Sequence, residues 1–119
     1  MIASLIYPTL KDAAPVAAIV GTRIYRDHAG DSPGEPYVVW SLVAGVPIHP
    51  LGQTPPTDRY SVSIDCFSPT EVQSDALVVA CRNAVEAIGR LSSGIQSLGR
   101  EAETNLWRYT FTVDIFRDR

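Results

Sequence analysis

The stretch Arg59-Tyr60-Ser61-Val62-Ser63-Ile64-Asp65-Cys66-Phe67-Ser68-Pro69-Thr70-Glu71 decides the fold. Tyr60, Val62, Ile64 and Cys66 alternate with Arg59, Ser61, Ser63 and Asp65. That two-residue period describes a strand with one buried and one wet face. Ser68-Pro69-Thr70-Glu71 then reads as a capping box with proline at the first helical position, a well-marked helix start. Val72, Ala76, Val79, Ala80, Ala84, Ala87 and Ile88 form an apolar stripe along that helix, widened by Leu77 and Val85. Gly89 or the Ser92-Ser93-Gly94 cluster ends it. A half-buried strand thus runs directly into an amphipathic helix.

Beyond that helix, Trp107, Tyr109, Phe111, Val113 and Ile115 alternate with Arg108, Thr110, Thr112 and Asp114, a second clear strand. Another strand is expected near residues 95–103, turning at Glu103-Thr104-Asn105. Upstream, Pro36-Tyr37-Val38-Val39-Trp40-Ser41-Leu42-Val43 reads as a strand apolar on both faces, with Val38, Trp40 and Leu42 opposite Tyr37, Val39 and Val43. Such a strand is central in its sheet or covered by a partner. Ile2, Leu5, Ile6 and Leu10 fall at helical spacing, with Pro8 expected to kink the helix or end it near Tyr7. A second short helix follows, with Asp12 as N-cap, Pro15 in its first turn, Gly21 as its stop and small alanines for close packing. The expected fold is α+β: a mostly antiparallel four-stranded sheet packed by one long helix and a short N-terminal helical pair. Residues 1–119 read as a single domain, at roughly 150 residues per domain.

Composition narrows the function classes. The 119 residues carry 10 Lys+Arg against 13 Asp+Glu, a net charge of -3, and are 45% hydrophobic. Disorder needs the opposite balance, and a protein that grips nucleic acid carries a clustered basic face. Two cysteines, Cys66 and Cys81, are too few for a disulfide framework and read as core hydrophobes in a reducing compartment. Residues 1–8 lack the basic lead of a signal peptide. No stretch approaches the roughly 18 apolar residues that span a bilayer. The reading is a cytoplasmic protein with no membrane partner.

Catalytic chemistry is sparse. His28 and His49 fall in expected loops without a second His or Cys at a metal-ligand spacing. Asp27, Asp31 and Glu35 do not follow a calcium-loop pattern and read as a solvated acidic loop. No serine sits in a nucleophile elbow, and no glycine pattern cradles phosphate. The reading is a protein that is not an enzyme and has no cofactor or metal. Nine of the ten basic residues are arginine, which suits bidentate contacts at interfaces and equally suits codon bias in a GC-rich genome. Trp40 and Trp107 lie on apolar strand faces, as core residues or as interface anchors. Residues 44–57, with Gly45, Pro47, Pro50, Gly52, Pro55 and Pro56, read as a long irregular loop where a hairpin needs only about two to five residues.

The ordered set Gly21-Thr22-Arg23-Ile24-Tyr25, Pro36-Tyr37-Val38-Val39-Trp40 and Arg59 through Phe67 resembles the tail-completion, or tail-terminator, family of long-tailed bacteriophages. In that family an alanine-rich helical pair leads to a G-x-R-I-Y turn. A P-Y-V-V strand, a variable loop, an R-x-x-V-x-I-D strand, a long helix and two closing strands follow. The resemblance covers nearly the full length; Pro8 is a departure, since the family keeps a regular helix there.

The resemblance implies a ring, expected to be a hexamer, that caps the tail tube, stops its polymerisation and gives the head and neck a docking surface. The implied partners are other copies of the chain, the tail tube protein, a head–tail connector or neck protein and the tape measure protein. Genomic DNA would only pass through the lumen. The implied location is the neck-proximal end of the virion tail, after assembly in the host cytoplasm. Val46, Ile48 and Leu51 of the 44–57 loop, with Trp40, Arg26 and Arg59, are the candidate ring and tube contacts. The competing readings are a neck or head-completion protein acting one layer higher, and a small non-catalytic dimeric ligand-binding module.

Overall fold

The computed structural model describes residues 3–30, 34–48 and 57–118. Its elements run α1 (Ala3–Lys11), α2 (Ala14–Val20), β1 (Ile24–Arg26), β2 (Tyr37–Ile48), β3 (Thr57–Ser68), α3 (Glu71–Val85), β4 (Arg90–Arg100) and β5 (Trp107–Asp118). The strands form one sheet in the order β1-β2-β3-β5-β4, antiparallel except for the β1–β2 pair. The α+β reading stands, with a five-stranded sheet in place of four strands. The added strand is β1, only three residues long. Its Ile24-Tyr25-Arg26 has too few apolar residues for a period to show, and parallel pairing with β2 is what makes it a strand.

The alternation of β3 and β5 is realised as read. Val62, Ile64 and Cys66 of β3 and Phe111, Val113 and Ile115 of β5 are fully or almost fully buried under the helices, with Val38 and Trp40 of β2 beside them. The other side of β2 is covered by this chain itself. Tyr37 and Val39 bury against Leu106, with Tyr25, Ala29 and Phe67 around them. The two-faced strand therefore needs no second protein along this half.

Helix α3 corrects two expectations. Its N-cap is Thr70, not Ser68: Thr70 Oγ1 accepts from Gln73 N–H at 3.2 Å. Ser68 instead folds into the turn, donating to Gln73 Oε1 at 2.9 Å. The helix also buries a face that overlaps the expected stripe only in part: Leu77, Ala80 and Val85 are buried and Ala84 and Ile88 pack on the core, but Val78, Ser74 and Cys81 join them. Val72, by contrast, is 80% exposed and Val79 40%. Cys81 is buried on this face, as the sequence reading expects of a core hydrophobe, and Ser74 is the polar residue beside it. Ser74 Oγ finds the Trp107 carbonyl at 3.4 Å, which makes its burial tolerable. Cys81 hydrogen-bonds Cys66 across the helix–sheet interface, and that bond, followed by burial, pushes the Cys66 thiol pKa well above its ordinary value.

The N-terminal pair also differs in detail. Helix α1 continues through Pro8 to Lys11. Proline there costs a backbone bond, offset by complete burial of Ile6 and Leu10 on either side of it. Helix α2 has Ala13, not Asp12, at its N-cap and no side-chain cap; Pro15 opens it and Gly21, at φ 60°, ends it. Val16 and Val20, rather than the alanines, are its fully buried residues. After α3 the chain passes β5 so closely that a Cβ on Gly89 would lie 2.6 Å from the Asp114 carbonyl oxygen. The next strand starts at once, so β4 spans Arg90–Arg100 rather than 95–103.

The face assignment of α3 makes a direct prediction. Leu77→Ala should destabilise the protein by about 2–5 kcal/mol, and Val72→Ser should stay within about 0.5 kcal/mol of wild type, both by urea denaturation. Equal losses at the two positions would contradict the observed helix face.

Candidate interaction site

Strands β2 and β3 pair far beyond the helices. The register continues through Ala44↔Ser61, Gly45↔Tyr60, Val46↔Arg59, Pro47↔Asp58 and Ile48↔Thr57. Residues 44–48 of the expected irregular loop, and Thr57 at its far end, are therefore strand. A bulge between Leu42 and Ala44 adds Val43 and resets the phase, which is why the alternation is lost to a reader of the sequence at Val43. On the other side β5 accompanies β3 through Arg59↔Phe116 to Thr57↔Asp118. The ends of these strands make a three-stranded arm. Hydroxyl–carboxylate bonds tie β3 to β5 along it: Ser61 Oγ donates to Asp114 Oδ1 at 2.7 Å and Thr57 Oγ1 to Asp118 Oδ1 at 3.2 Å.

Partnered residues in a ladder share a sheet face. Val46, Arg59 and Phe116 therefore make one row and Ile48, Thr57 and Asp118 the next, on the face away from the helices. Val46 is 40% exposed, Ile48 42% and Phe116 50%. Arg59 lies between Val46 and Phe116, and its Nε is screened from solvent without a hydrogen-bond partner. The structure thus brings Val46, Ile48 and Arg59 together and adds Phe116, which read in the sequence as the mere end of a strand. Leu51 lies outside the described residues.

Trp40 and Arg26 form a separate place at the start of β2. Trp40 is 3% exposed, within the main core. The Arg26 guanidinium lies over its ring, 5.1 Å from the centroid.

Near that end the sheet face away from the helices carries an aromatic and charged groove. Tyr37 and Phe67 stack at 4.8 Å, and Arg108 crosses Phe67 at 5.3 Å while its Nη2 donates to Asp65 Oδ2 at 2.9 Å. His28, Glu101 and Thr104 border the groove, whose volume is about 290 Å³. Burial of Tyr37, then the negative charge of Glu101, raises its phenol above the usual 10.0. Among the described residues no group of three or more His, Cys, Asp or Glu side chains could hold a metal ion. His49 and Asp31 lie outside the described residues. Among the described residues no helix is long and apolar enough to cross a membrane, which says nothing about strands.

A sheet backed by helices on one face, with an apolar-tipped arm extending past them, defines a module suited to binding. Comparison with protein families gives the class its name. Residues 4–118 match the family described as tail completion protein gp17, and the chain belongs to that family. It is thereby a structural protein of the phage tail or neck. Among solved structures the chain is similar to one in the virion of a native gene transfer agent particle. The two share 21% identity and a TM-score of 0.64, over 96% of this chain and 92% of that one, which shows a common fold. A comparison with curated proteins finds no match.

The Tyr37 environment is testable by alkaline titration. Because burial favours the neutral phenol, its contribution to stability is fully present below the ordinary pKa and lost as pH rises through the raised one. The absorbance difference between wild type and Tyr37→Phe should show one phenol with a midpoint above 10.0. A midpoint at or below that value would remove the burial and carboxylate account.

Proposed function

We propose that this chain forms a ring, hexameric as its family resemblance implies, which caps the tail tube at the neck-proximal end and stops its growth. The ring then offers its other face to the head–tail connector or neck protein. A tail tube is a head-to-tail stack of rings, so its growing end stays competent for further addition. A terminator has to match the tube on one side and refuse another ring on the other, which requires two different surfaces on one subunit.

The observation that carries this reading is the arm. A chain of the tail completion family extends strands past its own helical cover and leaves Val46, Ile48 and Phe116 facing solvent. Exposed apolar groups gathered at one end of an elongated protein suit contact with neighbours in a particle. In this reading the arm, with Arg59 and the connection that includes Leu51, meets the adjoining ring. The core residue Trp40 and its covering Arg26 hold the base of β2 in place. The tube protein, the neck protein and the tape measure protein are the partners, and DNA only passes through.

Replacing residues 49–56 with an Asn-Gly turn, which suits a two-residue hairpin, tests the reading. The shortened protein should keep its melting temperature within a few degrees. Phage assembled with it should show tails of uncontrolled length that lack heads in electron micrographs. Normal tail length and normal head joining would refute the assignment.

A further inference from the structure

The outer strands of the arm each have an open side among the described residues. Strand β1 pairs with β2 only at Val38, Val39 and Trp40, so residues 42–48 have no strand beyond them. Strand β4 pairs with β5 no further than Asp114, so residues 116–118 also end the sheet.

The period of the ladders sets which backbone groups these edges offer. On the outer side of β2, Val38 N–H donates to the Arg23 carbonyl and the Trp40 carbonyl accepts from Asp27 N–H. The bulge between Leu42 and Ala44 moves the phase by one residue, so Gly45 and Pro47 face outward beyond it. On β5, Thr112 N–H turns toward β4, where it donates to Ser93 Oγ. By the same period Phe116 and Asp118 face outward. One edge thus presents Gly45 N–H and C=O with the Pro47 C=O; the other presents the N–H and C=O of Phe116 and Asp118.

The apolar side chains follow the same division. Val43 at 63%, Val46 at 40% and Ile48 at 42% exposure are on β2, and Phe116 at 50% is on β5. Between them β3 carries Thr57 and Arg59. A surface built for face-on docking has its apolar residues in the centre and polar ones at the rim. Here the centre is polar, the β2 edge is apolar and the β5 edge carries Phe116 between Asp114 and Asp118, so the exposed apolar groups lie at the edges rather than at the centre, as expected when contact is made edge to edge.

We infer that the arms of successive copies of this chain join edge to edge, β5 of one copy beside β2 of the next, into one continuous collar of strands. This rests on the ring reading above. Both β2 and β5 run antiparallel to β3, so they point the same way. Rotation about a ring axis keeps that direction, and the junction is a parallel pair. Phe116 of one copy then lies beside Gly45 and Val46 of the next, burying apolar groups that one copy leaves in water. The contact uses two different surfaces, so it propagates head to tail, and it makes the ring of the reading above where the rotation between copies closes. Pro47 withholds a donor from its edge, which costs the β5–β2 junction one hydrogen bond and a β2–β2 pair one on each side.

Cross-linking separates this junction from other arrangements. Within one chain positions 46 and 116 flank Arg59 on opposite sides, two strand spacings or about 10 Å apart, whereas a disulfide needs Cα atoms within about 7 Å. A chain carrying both Val46→Cys and Phe116→Cys can therefore form a new disulfide only between copies, since the native Cys66 and Cys81 are buried. The protein is assembled on tail tubes, imaged, treated with a mild oxidant and run on a non-reducing gel. The expected result is a ladder of multimers from the double variant and none from either single variant. Rings seen at tube ends without a ladder would overturn the strand junction and leave the ring reading standing. A cross-linked dimer from Val46→Cys alone would report two-fold pairing and overturn the head-to-tail arrangement. Absence of rings from wild-type tube ends would overturn the ring reading and the junction with it. As a second measure, Val46→Lys with Phe116→Lys should abolish rings while the melting temperature of the free protein stays near wild type; persistent rings in that variant would also overturn the junction.

Discussion

The helical cover is shorter than the sheet it covers. Helix α3 has 15 residues and spans about 22 Å at 1.5 Å per residue. Strands β2, β3 and β5 have 12 residues each and reach about 40 Å. The helix covers only part of each strand: full burial runs from Val62 to Ser68 in β3 and from Phe111 to Ile115 in β5, and stops short of residues 57–59 and 116–118. The rest continues as the arm, and the molecule measures 52 × 26 × 25 Å. An arm of this kind has no core of its own and is stable only as an extension of the packed half. Its central strand is held on one side by the Ser61–Asp114 and Thr57–Asp118 bonds.

The two ends of the sheet solve opposite problems. At the β1 end the chain covers its second face by itself, with the Tyr37–Phe67 stack, Leu106 and the Arg108–Asp65 ion pair. That end is anchored. At the arm end Val46, Ile48 and Phe116 are exposed among the described residues. A structural protein of a phage tail acts by joining other proteins, so apolar surface left open at one end is consistent with its family.

Legibility in the sequence varied with the kind of signal. The strands β3 and β5 could be read because each alternates without interruption and has a single buried face. Helix α3 could be located but only partly oriented: Cys81 is buried as read, whereas Ser74 is buried for a reason that lies in its partner, the Trp107 carbonyl. Strand β1 was invisible because three residues carry no period. The extension of β2 was hidden by the bulge at Val43, and Gly45 and Pro47 then read as loop residues although both fit an edge strand. Of the candidate contacts, Val46, Ile48 and Arg59 proved to share one face, while Trp40 with its Arg26 belongs to the opposite end of β2. Phe116 could not have been added from sequence, since only the register of β3 with β5 puts it beside Arg59.

By itself the sequence determined the α+β class, the central strands with their inward faces, and the family, because these depend on local periodicity and on motifs that keep their order along the chain. The tertiary structure alone decided the helix face, the fifth strand and the arm, whose two edges are unpaired among the described residues. Each of these depends on what a residue meets across a gap of many positions: an acceptor for a buried hydroxyl, a strand to pair with, or the end of a helix too short to cover its sheet.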